Sequence, residues 1–152
     1  MIDEIDRKII DILQDDCNQA ISIVAEKINL SVSACHRRIS ILEEKGVIKK
    51  YTAQIDPKSL GYNVTFLVEV SLESQSDEIL SKFEKAAILQ PEVLTCYLTT
   101  GSADYILMVA AKDTSHYEHI YRQKIATLPH VSRIQSSLIM KHVKEWRGYP
   151  AL

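Results

Sequence analysis

The chain has 152 residues, 46% of them apolar and 25% charged, the make-up of one or two small soluble globular domains. No apolar run approaches the roughly 18 residues that a membrane span needs, and the acidic start Asp3-Glu4 stands where a signal peptide has its basic region, so a cytoplasmic protein is expected. The net charge of −2 hides an asymmetry: residues 1–30 carry three basic and seven acidic side chains, residues 31–50 five basic and two acidic. A local positive stretch of this kind suits nucleic acid, although it is also what a solvated surface looks like.

The first predicted helix opens after Asp3 as its cap and repeats Ile5, Ile9, Ile12 and Leu13 at helical spacing. A second helix is expected from Ser22, acting as its cap, to about Asn29, with Ile23, Val24 and Ile28 inward. Asn29-Leu30-Ser31 then makes a tight turn. Ser31 is placed to cap a third helix that ends near Gly46, with Val32, Cys35, Ile39 and Leu42 as its buried stripe. The β-prone run Val47 to Ile55 follows, stopped by Asp56-Pro57. Two helices, a tight turn, a basic third helix and a β segment are the parts of a winged helix-turn-helix, expected over residues 1–50.

Residues 51–63 read as a linker, in which Pro57 and Gly61 flank Lys58-Ser59-Leu60. From Val64 the period becomes two: Val64, Phe66, Val68, Val70 and Leu72 alternate with Thr65, Leu67, Glu69 and Ser71. A helix is expected over 77–90, closed by Pro91, and strands over 93–100 and 105–111 joined by a Gly101-Ser102-Ala103-Asp104 hairpin. A helix over 114–128, with Tyr117, Ile120, Ile125 and Leu128 inward, and a last strand over 131–143 complete the order β-α-β-β-α-β. That order is the ferredoxin-like split unit, an antiparallel four-stranded sheet with both helices on one face, here spanning residues 64–152. The fold class is therefore α+β. The other face of the sheet carries Leu67, Leu94, Leu98, Ile106 and Met108 if alternation holds, too much apolar surface to leave in water, and a homodimer is expected.

On the third helix, stepping 100° per residue from the apolar stripe puts Ser33, Arg37, Ser40 and Glu44 on the opposite face, with His36 flanking it. Ser33, His36 and Arg37 are the candidates for base edges, since a recognition helix reads mainly from its N-terminal residues. Arg37 can chelate a guanine. Arg38 lies toward the side of the helix and better suits a phosphate, as do Lys49 and Lys50 in the wing, the alternative for Arg38 being an ion pair with a first-helix carboxylate.

The three cysteines, Cys17, Cys35 and Cys96, are scattered and read as reduced structural thiols. His116 and His119 stand three apart on the last helix without a matching carboxylate or thiol, so no metal and no cofactor are expected. His130 and His142 have no evident partner.

Five segments together carry a family resemblance. Ile5-Asp6-Arg7-Lys8-Ile9-Ile10-Asp11-Ile12-Leu13-Gln14, Ser31-Val32-Ser33-Ala34-Cys35-His36-Arg37-Arg38-Ile39 and Leu42-Glu43-Glu44-Lys45-Gly46-Val47-Ile48 resemble the Lrp/AsnC regulators. So do Asp56-Pro57-Lys58-Ser59-Leu60-Gly61-Tyr62 and Thr99-Thr100-Gly101-Ser102-Ala103-Asp104-Tyr105. The likeness spans nearly the whole chain in the right order. It implies a DNA-binding transcriptional regulator with an ACT-like (RAM) C-terminal domain, assembled as a homodimer and often an octamer, and an amino-acid effector bound between dimers.

By itself a Gly-x-x-Asp loop between strands is usually a plain hairpin. With the resemblance, it becomes the sensor. Gly101 at positive φ would expose backbone N–H groups to a carboxylate, and Asp104 would accept from an α-ammonium. Tyr97, Thr99, Thr100 and Ser102 surround the loop, and Ser136 on the last strand lies where the family places a neighbour. Two alternatives stay open. One is an architectural DNA-binding protein without effector. The other is an enzyme: a branch of similar architecture decarboxylates sirohaem-type tetrapyrroles, with a His-Asn-Tyr stretch on its second strand and an Asn-Leu-Trp-Phe-type third strand. The matching positions here are Thr95-Cys96-Tyr97 and Tyr105-Ile106-Leu107-Met108, which lack those side chains.

Overall fold

The structure, a computed structural model, describes residues 2–151. The chain forms two units, one of residues 2–54 joined by 143–151 and one of residues 55–142.

In the first unit, helix α1 (Glu4–Asp15) starts in a capping box: Asp3 accepts the Asp6 N–H at 2.8 Å and Asp6 accepts the Asp3 N–H at 3.2 Å. Helix α2 (Ile21–Lys27) has Ala20 as its N-cap, two residues before the Ser22 expected in that role, and no side-chain cap hydrogen bond, so Ser22 does not cap it. Its inward stripe is Ile21, Val24, Ala25 and Ile28, the spacing of one helical face, which turns Ile23 outward (45% exposed). Helix α3 (Val32–Glu44) is capped by Ser31, which accepts the Ala34 N–H at 3.2 Å, and ends before Gly46 at φ +67°. Cys35, Ile39 and Leu42 are buried as expected; Val32, in the first turn beyond the reach of the core, is 52% exposed. Residues 47–55 form no strand among the described residues, so the β segment expected there is not made. They are anchored instead where Val47 and Ile48 donate to the Leu42 carbonyl.

The last residues also belong to this unit, which the sequence did not announce. The Gln14 amide grips the backbone of Tyr149 in both directions, donating to its carbonyl and accepting its N–H, each at 2.8 Å. The Ala151 N–H reaches Asp11 at 3.3 Å.

In the second unit a 3₁₀ turn (Pro57–Leu60), capped by Asp56, leads to β1 (Val64–Leu72), α4 (Asp77–Ile88), β2 (Val93–Leu98), β3 (Tyr105–Ala111), α5 (Thr114–Ile120) and β4 (Val131–Leu138). The antiparallel sheet has the order β2-β3-β1-β4. Phe66, Val68, Val70 and Leu72 of β1 and Tyr105, Leu107 and Val109 of β3 meet Phe83, Ala87, Tyr117, Ile120, Ile125 and Leu128 in one core. Phe66 lies flat on Tyr117 at 3.6 Å between ring centroids.

Three local departures from regularity matter. A single π turn (Tyr121–Ile125) interrupts the predicted helix 114–128, so Ile120 and Ile125, five apart, both reach the core. A bulge at Leu94 resets β2: Cys96 opposes Leu107 and Leu98 opposes Tyr105, both on the helix side. Leu98 therefore leaves the open face expected for it, and Tyr97, opposite Ile106, takes that place. The last strand stops at Leu138 rather than 143, because β1 begins at Val64 and the final rung is Ile139 N–H on the Thr65 carbonyl. No helix among the described residues is long and apolar enough to cross a membrane.

Candidate nucleic-acid face and effector cleft

The outward side of α3 carries Ser33, His36 and Arg37 exposed and Ser40 half-buried. The Arg37 side chain has no hydrogen bond or ion pair among the described residues, and Lys49 and Lys50 are likewise exposed and unpaired. Ser33 Oγ lies 3.2 Å from Ser31 Oγ, at the capped end of the helix. Arg38 departs from this set. Its Nη1 donates to Asp3 Oδ2 and Asp6 Oδ1, both at 2.7 Å, so the guanidinium fastens α3 to the start of α1 rather than facing a phosphate. The pairing raises the Arg38 pKa, and the Asp6 N–H followed by Arg38 lowers that of Asp3.

The hairpin between β2 and β3 closes through the Thr99 N–H on the Asp104 carbonyl (2.8 Å) and Thr99 Oγ1 on the Ala103 carbonyl (2.7 Å). Thr100, Gly101 and Ser102 are exposed at its tip. Gly101 does not adopt the positive φ expected of it; a Cβ there would meet only Thr99 Oγ1, at 3.9 Å. The turn is closed by Thr99 and needs no left-handed residue. Asp104 is already engaged. Its Oδ2 accepts the Leu72 N–H at 2.7 Å, and its Oδ1 accepts from Gln75 at 3.1 Å. The ladder between β1 and β4 slips at Ser71/Leu72, and the Asp104 carboxylate serves the N–H of that irregular step.

Ser136 faces away from this loop. It opposes Val68 on the helix side, with its Oγ 2.5 Å from the Tyr117 hydroxyl. The β4 residues beside the loop are its odd-numbered neighbours: Arg133 and Gln135 join Glu69, Ser71, Ser102 and Ala103 around a shallow cleft of about 30 Å³. Sequence reasoning missed Glu69, Arg133 and Gln135, although Ile134 pointing inward would have turned 133 and 135 outward together. Tyr97 is exposed on the same open face.

The thiols of Cys35 and Cys96 are pushed up by burial, which suits inert side chains. His116 Nδ1 accepts the Lys112 N–H at 3.1 Å. Among the described residues no group of three His, Cys, Asp or Glu is placed to hold a metal ion.

Comparison with known proteins covers both units. Residues 65–149 match the Lrp/AsnC ligand binding domain, and residues 2–49 a winged helix-turn-helix DNA-binding domain. The chain is 41% identical over 117 residues to an HTH-type transcriptional regulator of Sinorhizobium fredii, covering 77% of this chain and 92% of that protein. Among solved structures, an AsnC family transcriptional regulator from Agrobacterium tumefaciens superposes with a TM-score of 0.92 at 35% identity, covering 97% of this chain and 96% of the other. A transcriptional regulator from Neisseria meningitidis in complex with L-methionine gives 0.90 at 28% identity, with 95% and 94% covered.

Proposed function

The chain belongs to the Lrp/AsnC family of DNA-binding transcriptional regulators, and from that premise we propose that it reads an operator with α3 and senses an α-amino acid at the cleft beside the β2–β3 loop. Ser33, His36 and Arg37 face base edges, and Lys49 and Lys50 hold phosphates. The observation that carries this reading is the uncommitted state of Arg37, exposed beside Arg38, whose own guanidinium is spent on Asp3 and Asp6. The relatives it matches are named as regulators, which favours this reading over the decarboxylase.

The protein works in the cytoplasm as a homodimer, with further assembly toward an octamer. Leu67, Tyr97, Ile106 and Met108 line the uncovered face of the sheet and supply the apolar contact. Effector sensing draws support from the L-methionine complex of the Neisseria meningitidis relative. A cleft of about 30 Å³ has room for roughly one water molecule, so an amino acid lying on it needs a second surface, as an assembled regulator provides. Footprinting with and without each of the twenty amino acids tests the whole reading. A regulator with an effector changes its protected pattern with at least one of them; an architectural protein protects DNA identically in all.

A further inference from the structure

The chain passes between its two units twice, at 54–55 and again at 142–143. The first passage is loose, since residues 49–56 form no helix or strand. A flexible stretch of about eight residues spans roughly 15 Å between its ends and leaves direction free, whereas one base pair advances a duplex by about 3.4 Å. That connection alone does not fix where a recognition helix is presented. The second passage is short. The Ile139 N–H closes the last rung of the sheet on the Thr65 carbonyl at 2.9 Å, and from residue 143 the chain belongs to the first unit. There it is fastened to α1: the Gln14 amide donates to the Tyr149 carbonyl and accepts its N–H, each at 2.8 Å, and the Ala151 N–H reaches Asp11 at 3.3 Å. Trp146 stands edge-on against Tyr149, with 4.8 Å between ring centroids. Gly148 takes φ +102°, and its missing side chain leaves the room that Gln14 occupies. Residues 145–148 line one groove of this unit together with residues 47–54, so both passages leave it from the same place.

We propose that this C-terminal segment is a strap that sets the half-site spacing the regulator accepts, with Gln14, Gly148 and Tyr149 as the residues that determine it; this rests on the homodimeric reading above. A body held by one flexible connection turns about it. A second connection closes a loop and removes most of those orientations. In a dimer of strapped units the two α3 helices meet DNA at one separation. Linked binding is strongest where the tether matches the span and fades elsewhere, so strapped units favour one spacing and released units accept many. The fastening is specific in its geometry. Gln14 grips the backbone of Tyr149 and no side chain, and a side chain at 148 fits only if Gln14 swings away, which gives up that grip. Neither Gln14 nor Gly148 lies on α3 or carries a charge, so the strap acts on spacing and leaves the contact with each half-site alone.

Binding titrations with the full chain test this. A half-site selected from random duplex DNA on the wild-type protein is placed in pairs, at centre-to-centre spacings stepped one base pair at a time across a helical turn of about 10 base pairs. Wild type is expected to lose at least about tenfold in affinity between its best spacing and one half a turn away. Gln14→Ala, Gly148→Ala and the double variant are expected to shrink that ratio below about threefold while binding a single half-site as wild type does. A ratio in the double variant equal to that of wild type overturns the strap and spares the dimer, as does a wild type that gains from pairing equally at every spacing. An equal loss at every spacing and on the single half-site assigns Gln14 and Gly148 to the stability of the unit and also overturns the strap. If wild type binds paired half-sites no better than a single one at any spacing, the homodimeric reading falls and the strap with it.

Discussion

Arginines 37 and 38 are adjacent on α3, and 100° of helical rotation gives them different work. Arg37 points out with an unpaired guanidinium, and Arg38 turns back to Asp3 and Asp6. Arg37→Ala is expected to cost about 1–3 kcal/mol of operator binding and to relax preference at one base pair. Neutralising Lys49 or Lys50 should weaken all sequences alike and lower the salt slope by about one each; binding titrations on an operator mutant series at several salt concentrations distinguish the two. Arg38→Ala acts on stability. Asp3 has a folded-state pKa lowered below its ordinary value, so its pairing stabilises the fold above the unfolded aspartate pKa and is lost as pH falls through the folded one. The melting temperature of Arg38→Ala should therefore lie below wild type at neutral pH and converge with it in strong acid. A constant gap across that range would contradict the pairing. Asp104 carries a related lesson. Asp104→Ala strands the Leu72 N–H at the bulge, an expected loss of about 1–3 kcal/mol in urea denaturation whether or not ligand is present. Loss of effector binding in that variant would thus say little about a direct contact.

At the scale of elements, period and punctuation made most of the fold readable. The alternation from Val64 to Leu72, the Pro91 stop and the 105–111 run specified the strand and helix order, because one buried face forces that pattern on the chain. What stayed hidden has no periodic signature. The bulge at Leu94 exchanges the faces of Tyr97 and Leu98 by inserting one residue, and the π turn at Tyr121–Ile125 does the same for a helix. The candidate site suffered most. Arg38, on the side of the helix, reads first as a phosphate ligand and only second as an ion pair, Ser136 stands beside the loop by resemblance rather than by strand parity, and Glu69 looks like ordinary solvent-side alternation. The return of the C-terminal segment was illegible for another reason: Gln14 and Tyr149 are 135 positions apart, and nothing local in either marks the pairing. Gly148 makes it possible. It sits at φ +102°, and a Cβ there would come within 2.2 Å of the Gln14 side chain. Gly148→Ala and Gln14→Ala should both abolish hydrogen-exchange protection of the Tyr149 amide while costing less than about 1 kcal/mol, since the contact is exposed. Retained protection in both would mean that the segment is held by other contacts.

For the whole molecule the deciding feature is a sheet with one covered face. Helices α4 and α5 bury Phe66, Val68, Val70 and Leu107, and the opposite face leaves Leu67 37% and Tyr97 59% exposed in the single chain. Apolar surface on inner strands is costly in water and is removed when two copies stack sheet to sheet. In a two-fold dimer of the kind proposed, two α3 helices would be presented, so an operator with two half-sites would be held by both, the second contact forming at a high effective concentration. Leu67→Glu puts a charge at the centre of that face without disturbing the core, because Leu67 opposes Met108 and Ser137 on the open side. The variant is expected to keep its fold by circular dichroism, to run at half the mass or less in light scattering at micromolar concentration, and to bind a single half-site as wild type does. On the full operator it should lose on the order of 10²–10⁴ in affinity, the advantage of linked sites. An unchanged mass would show that the copies meet elsewhere. Half the mass with undiminished operator affinity would show that the two recognition helices never acted together.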